Sequence, residues 1–407
     1  VFEDIIDQLR EFIGDAPVVG HNVQFDLGFL NKSGLKIDNP VSDTWDMAYV
    51  LLPGISSYSL SNIAMDLGIT HDKAHRALED AAVTAHVFNY LLKSADTLED
   101  DILFELSRTA IQCGSRLAYV LSGLMSTRNR AEIKTQQVIG FDVEEIRSRL
   151  TKESSIKKTE QATPVDLMLI ESALSAKGSL SNSMLRFEER PEQMRMAKTI
   201  AETINSGIGD DQTRLIVEAG TGVGKSLAYL LPSVIYALKN NKRIVVSTNT
   251  INLQEQLLTK DMPLVIEALK DTDSIDIEKL RYTQLKGRDN YLCLNKLLRM
   301  RLTDKPTWTE GRLISKVLVW LRNTITGDKS ELNLGSRGAS AVWGRLSAQG
   351  SSLCKGINGA CFLRSARDKA SSSHLVITNH SLLMADIASD GSVLPDYDIL
   401  IIDEAHH

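Results

Sequence analysis

Short apolar runs alternate with helical spacings from the first residues onward. Within 1–93, APVVGHN reads as a buried strand that turns into a helix at NVQFDLGFL. In SYSLSNIAMDLGI, Leu60, Ile63, Ala64 and Leu67 share one helical face and Gly68 supplies the stop. HRALEDAAVTAHVFNYLL predicts a helix whose apolar side carries Leu78, Ala81, Ala85, Phe88 and Leu92. From 94 to 184 one long stripe of Ile102, Leu106, Ala110, Cys113, Leu117, Leu121 and Leu124 gives way to TKESSIKKTEQATP, a polar, aperiodic linker. Cys113 lies inside that stripe and reads as core packing. Beyond it, RLIVEA, RIVVST, HLVITNH and DILIID are unalternating apolar runs between helices. Such runs are strands covered on both faces, so the sheet should be parallel with flanking helices. The stretch 271–373 breaks the rhythm and reads as an insertion. The expected class is α/β: a domain over 1–93, a helical connector over 94–184, and a parallel-sheet domain over 185–407.

With 407 residues the chain has room for two or three domains. It has no run of eighteen apolar residues and no secretory-type start, so neither a membrane span nor an export signal is expected. Four scattered cysteines, Cys113, Cys293, Cys354 and Cys361, suit a reducing compartment, and a cytoplasmic location is expected. The 46 Lys and Arg against 52 Asp and Glu give a net charge of -6. That excludes a protein basic all over but leaves room for a local groove that binds phosphates. A first residue other than Met, and a last segment IIDEAHH that stops as a motif completes, read as a fragment.

EAGTGVGKS follows an apolar run and precedes a helical pattern, the setting of a phosphate-binding loop. Gly220, Gly222 and Gly224, with Thr221 and Val223 between them, let several N–H groups converge on an anion at a helix N-terminus. Lys225 would reach the β- and γ-phosphates of ATP, and Ser226 would hold Mg²⁺. In YDILIIDEAHH a buried strand would deliver Asp403 and Glu404 at its carboxyl end, where parallel sheets bind ligands. Asp403 would hold Mg²⁺ through water and Glu404 would activate the attacking water. An acidic pair after a strand is otherwise a helix cap.

Near the start, HNVQFD sets Asn22 and Asp26 four residues apart, on one helix face, and HRALED offers His75 and Asp80. His75 can work with Asp80 only from the loop ahead of the helix, because five helical residues turn two side chains about 140° apart. Asp80 falls off the predicted apolar stripe. Carboxylates holding two Mg²⁺ or Mn²⁺ ions, with a histidine deprotonating water, would hydrolyse phosphodiesters.

These segments resemble known families. DEAH at 403–406 marks superfamily 2 helicases, FEERPEQMRMA resembles their Q motif with Gln193 placed to read adenine, and HLVITNHSLLMAD resembles the strand typical of the DinG and XPD branch. VVSTNTINLQEQL resembles motif Ia, which implies that Thr248 and Asn249 touch a DNA backbone. HNVQFDLGFL and HRALEDAAVTAHVF resemble the second and third motifs of DnaQ-like 3'-5' exonucleases. Asn22, in the first of them, is then expected at the nucleic acid. The resemblance implies a truncated RNase H-like domain, a helical linker, and a first RecA-like domain with an inserted, mostly helical iron–sulfur-type subdomain. That exonuclease family's first Asp-x-Glu motif would precede Val1, so the fragment is expected not to cleave DNA.

The same resemblance implies an iron–sulfur cluster in the insertion. Only Cys293, Cys354 and Cys361 lie there, with Gln349 near the fourth place, so an intact cluster is not expected. His374, in an apolar run, reads as packed. Lys286 and Arg288 are the basic candidates for phosphate contact. The reading is a helicase and 3'-5' exonuclease acting on single-stranded DNA. Its rivals are an ATP-regulated exonuclease that unwinds nothing and a degenerate nucleic-acid-binding scaffold.

Overall fold

Helix faces and strand ends, rather than helix and strand identities, decide where the chemistry lies. The computed structural model describes residues 5–70, 76–128, 141–150, 155–156, 159, 161–183, 187–209, 213–302, 305–350 and 356–406. The chain divides into two units, Val1–Leu150 with Arg288–Leu363 and Thr151–Gly287 with Arg364–His407. Among the described residues no helix is long and apolar enough to cross a membrane.

In the first unit β1 (Val18–Gly20) and β2 (Val41–Asp43) pair in parallel, with Val18 opposite Val41 and Gly20 opposite Asp43. β1 was expected to be buried, yet Val19 is 37% exposed. Its only pairing among the described residues is with β2. β2 runs into the helix Thr44–Leu51, which Asp43 caps by accepting from the Trp45 N–H. The helix Leu60–Asp66 buries Ile63 and Ala64, and Gly68 follows at φ +68°, as its C-terminal stop requires.

The long helix Ala77–Asp96 forms where predicted but buries a different face: Val83, Thr84, Val87, Leu91 and Ala95. Leu78 is 84% exposed, and Ala81 and Ala85 are exposed as well. Five alanines, Phe88 and Tyr90 spread apolar side chains around this helix, so spacing alone leaves its rotation undetermined. The stripe from Ile102 to Leu124 likewise belongs to two helices, Asp100–Gln112 and Leu117–Thr127, separated at Gly114 with φ +67°.

The helix Trp308–Leu321, begun by a Thr307–Glu310 capping box, is buried along most of its length and packs on Asp100–Gln112 and Thr44–Leu51. The approach to Cys113 is close: a Cβ on Gly311 would stand 2.6 Å from the Cys113 sulfur. Cys113 is therefore a packing residue, and burial pushes its thiol pKa up.

The second unit is an open parallel sheet in the order β4-β5-β3-β6, made of β3 (Ile244–Thr248), β4 (Tyr282–Gln284), β5 (Leu375–Asn379) and β6 (Ile399–Ile402). β3 and the first four residues of β5 are wholly buried, as unalternating apolar runs require. β4 lies inside the stretch that reads as an insertion in sequence. RLIVEA is not a strand: residues 213–220 form no ladder, and Ile216 is 97% exposed. An apolar run signals a need for cover but does not supply the neighbour. β6 ends the sheet, paired only with β3 among the described residues.

Candidate active sites

Parallel pairing of β3, β5 and β6 brings their carboxyl ends to one edge, and the phosphate-loop helix meets that edge. Gly224 is the N-cap of the helix Lys225–Asn240, left-handed at φ 85°, and Gly222 has φ +84°. Only glycine takes these angles without strain. The carbonyls freed by this curl are held from outside. Arg190 Nη1 donates to the Gly222 oxygen and Gln193 Nε2 to the Gly224 oxygen, each at 2.9 Å. Gln193 is nearly buried, and its amide nitrogen is spent bracing the loop rather than left for adenine. Gly220 and Thr221 are exposed; Val223, Lys225 and Ser226 are half-buried.

Lys225 Nζ stands 3.0 Å from Glu404 Oε1, across 179 residues of chain. His406 Nδ1 lies 3.5 Å from the other Glu404 oxygen. The Tyr229 hydroxyl donates to Asp403 Oδ2 at 3.2 Å, and the Asp403 N–H donates to the Ser247 carbonyl at 2.9 Å. Burial lifts the Asp403 carboxyl above the usual carboxylate range, against the Tyr229 hydrogen bond. Glu404 sits in a turn at φ 56°, rare for a side chain this long, so the pair does not cap a helix.

Two neighbours escaped the sequence reading. Tyr229 stands one turn into the helix and was hidden in its apolar pattern. Asp261 is delivered by a π-helical segment, Leu257–Asp261, where burial raises its carboxyl pKa, the neighbouring Ser226 hydroxyl opposes that rise, and one buried oxygen has no hydrogen-bond partner. No residue pattern announces a π turn. This hydroxyl and these carboxylates are hard oxygen donors that suit Mg²⁺. Among the described residues no group of three His, Cys, Asp or Glu side chains converges as a direct metal site would.

The residues expected on DNA fare differently. Thr248 is fully buried, its hydroxyl turned to the Thr250 carbonyl at 3.1 Å, so its side chain cannot touch a phosphate. Asn249 beside it is half-buried. Lys286 is also buried, with its amino group 3.4 Å from Glu255 Oε1. Basic residues near a motif suggest contact, but Lys286 follows β4 into the interior. Arg288, in the first unit, is half-buried.

At the front end Asn22 is not on the helix. It occupies the preceding turn at φ 54°, and its N–H donates to Asp43 Oδ1 at 2.9 Å, with Val23 N–H donating to Oδ2 at 3.0 Å. Asp26 alone lies on the helix Gln24–Lys32, and it is exposed. Asp80 is half-buried and continues the inner line of Thr84, Val87 and Leu91 by one turn, so it is not off the buried face as its apolar neighbours suggested. His75 lies outside the described residues. Asp43, which holds the turn, was missed, although an aspartate just before a helix is a readable cap.

Cys293 is buried and Cys361 half-buried, and Cys354 lies outside the described residues. His374 is packed as expected: its Nδ1 accepts from the Arg281 N–H at 3.2 Å, and burial lowers its pKa to about 4.

Residues 1–88 match the family model described as Exonuclease, and residues 186–298 match that described as Type III restriction enzyme, res subunit. The whole chain is 32% identical to 42% of a Bacillus subtilis protein named 3'-5' exonuclease DinG. It is 29% identical to 42% of the protein of the same name from Staphylococcus saprophyticus. Over 53% of the chain, identity is 36% to 34% of a Mycobacterium tuberculosis protein named ATP-dependent helicase DinG. The chain thus spans under half the length of these relatives. It joins an exonuclease domain to a helicase-type domain, and from end to end it is homologous to proteins named DinG.

Proposed function

We propose that this chain is the nuclease and ATP-binding part of an ATP-dependent DNA helicase and 3'-5' exonuclease. It would act on single-stranded DNA in repair or replication, in the bacterial cytoplasm. The meeting of Lys225 and Glu404 at 3.0 Å, beside the left-handed Gly222 and Gly224, carries this reading. The ATP phosphates would rest on the N–H groups of 220–226 and on the Lys225 amino group. Ser226 and Asp403 would hold magnesium, and Glu404 would take the proton of the attacking water. Asp26, Asp80 and His75 would serve phosphodiester hydrolysis with Mg²⁺ or Mn²⁺. Cys293, Cys354 and Cys361 would be the thiolates available to an iron–sulfur cluster.

A second reading, an exonuclease that ATP only regulates, is favoured by the name 3'-5' exonuclease carried by relatives that match the whole chain, those from Bacillus subtilis and Staphylococcus saprophyticus among them. Strand displacement and degradation by the full-length protein separate the two. Lys225→Ala should abolish ATP hydrolysis and unwinding, and Asp80→Ala should abolish degradation. Degradation without unwinding, its rate altered by ATP, would establish the second reading. Undiminished ATP hydrolysis in Lys225→Ala would remove the nucleotide site itself.

A further inference from the structure

We propose that the first unit carries a pocket for one nucleotide of a single nucleic-acid strand, which stacks its base on Trp308 and sets its phosphate at the N-terminus of the helix Arg337–Leu346. This rests on the reading of the chain as a nucleic-acid enzyme, and it adds a site that neither the ATP loop nor the nuclease carboxylates include.

The pocket is a cavity of about 580 Å³, within the ~300–1,000 Å³ typical of small-ligand sites. Its floor comes from the turn at Asn22 and Asp43 and its walls from both the front end and the insertion. Trp45 and Tyr49 stand on the helix Thr44–Leu51, and Trp308 and Arg312 on the helix Trp308–Leu321.

Arg312 is the reason to expect a ligand. It is only 7% exposed, and its guanidinium lies 4.6, 4.3 and 4.1 Å from the rings of Trp45, Tyr49 and Trp308. Its Nη2 is 3.0 Å from Asp46 Oδ1 as an ion pair, while its buried Nε has no hydrogen-bond acceptor. Buried donors left unmet are costly and call for an acceptor. Burial also holds Asp46 above the usual carboxylate range, against the pull of Arg312.

A second observation stands across the cavity. The ten-residue helix Arg337–Leu346 opens on it, with Gly335 and Ser336 in the lining. The Ser336 hydroxyl accepts from the Ala339 N–H at 3.2 Å. The N–H groups of Arg337 and Gly338 come before the first intrahelical bond and have no acceptor within the helix. An anion is favoured there by those donors and by the helix dipole. Arg116, whose Nη2 donates to Gln24 Oε1 at 2.5 Å, adds positive charge on the front-end side.

Trp308 supplies the stacking surface. Arg312 covers one part of its ring, while the residue remains 47% exposed at the cavity rim. An indole backed by a cation and open to solvent suits a base, and stacking of this kind is tolerant of sequence. The pocket would hold a strand without reading it.

The test uses this chain, a fluorescein-labelled dT10 oligonucleotide and free dTMP, with anisotropy and tryptophan emission as readouts. Trp308→Ala removes an exposed side chain and should weaken oligonucleotide binding about ten-fold, the loss of one stacked base. Trp308→Phe should restore most of it. Trp308 emission should be quenched by dTMP, and Leu78→Ala, at an exposed position away from the pocket, should leave all of this unchanged. If the wild-type chain binds dT10 and Trp308→Ala binds it equally well, the pocket is refuted while the wider functional reading stands. If the wild-type chain does not bind dT10, both fall.

Discussion

Lys316 offers a quantitative check on the packing of the front end against the insertion. Its side chain is 0% exposed, its ammonium lies 3.8 Å from the Tyr49 ring centre, and it donates to the Tyr58 hydroxyl at 2.6 Å and to the Asn333 carbonyl. Burial, then the neighbouring Arg312 charge, lowers its pKa from 10.5 to about 7. Between those values the folded state binds fewer protons than the unfolded one, so stability must rise with pH. The penalty of burying the charge is fully present below pH 7 and fades as pH climbs toward 10.5. Linkage limits the slope to about 1.4 kcal/mol per pH unit and the whole effect to about 5 kcal/mol. Attraction to the two rings returns about 1–2 kcal/mol of this. Lys316→Met keeps the apolar stem, and the Tyr58 hydroxyl keeps the Leu52 and Pro53 carbonyls at 3.1 and 3.3 Å.

The assay is urea unfolding of wild type and Lys316→Met between pH 6.5 and 9. The wild-type protein should gain about 2 kcal/mol on the variant over that range. A difference that stays constant with pH would mean that Lys316 is not buried as described, and that the insertion does not pack on the front end in this way.

Two further substitutions test particular geometries. Leu91→Ala should cost about 2–5 kcal/mol, whereas Leu78→Ala should stay within about 0.5 kcal/mol; equal costs in thermal unfolding would mean that the helix Ala77–Asp96 is rotated from the face described. Gly224→Ala would place a Cβ 2.1 Å from Gln193 Nε2 at φ +85°, so a fluorescent ATP analogue should bind at least about ten-fold more weakly. Unchanged binding would rule out the braced loop.

What was legible in the sequence was whatever depends on neighbours along the chain. Three of the four apolar runs, RIVVST, HLVITNH and DILIID, became strands β3, β5 and β6, paired in parallel as expected, but β6 at the sheet edge is only half-buried, with Ile402 44% exposed, rather than covered on both faces. The phosphate loop and the acidic pair were legible for a similar reason: each is a local pattern at the end of an element. Misreadings came where a distant partner decides the outcome. RLIVEA has strand composition but no ladder. The helix Ala77–Asp96 turns Val83 and Val87 inward because of what packs on it, which its own spacing does not record. Lys286 is charged and near a motif, yet it is buried against Glu255. Asp261 and Arg312 matter only through residues far away in sequence, Ser226 in one case and Trp45 and Tyr49 in the other.

The Lys225–Glu404 ion pair has a consequence for the proposed ATPase reaction. Both side chains are about 30% exposed, at 30% and 29%, so solvent screens them and the pair is worth no more than about 1 kcal/mol. It is therefore cheap to break. A triphosphate at the loop would offer Lys225 several negative charges in place of one, and the lysine would exchange Glu404 for phosphate. Glu404 would then be released from Lys225, with His406 Nδ1 3.5 Å from its other oxygen, and could serve as the general base. Before nucleotide arrives, the same pair ties up the base and holds the lysine at the mouth of the loop. On the proposed reading, nucleotide binding and activation of the base would thus be one event.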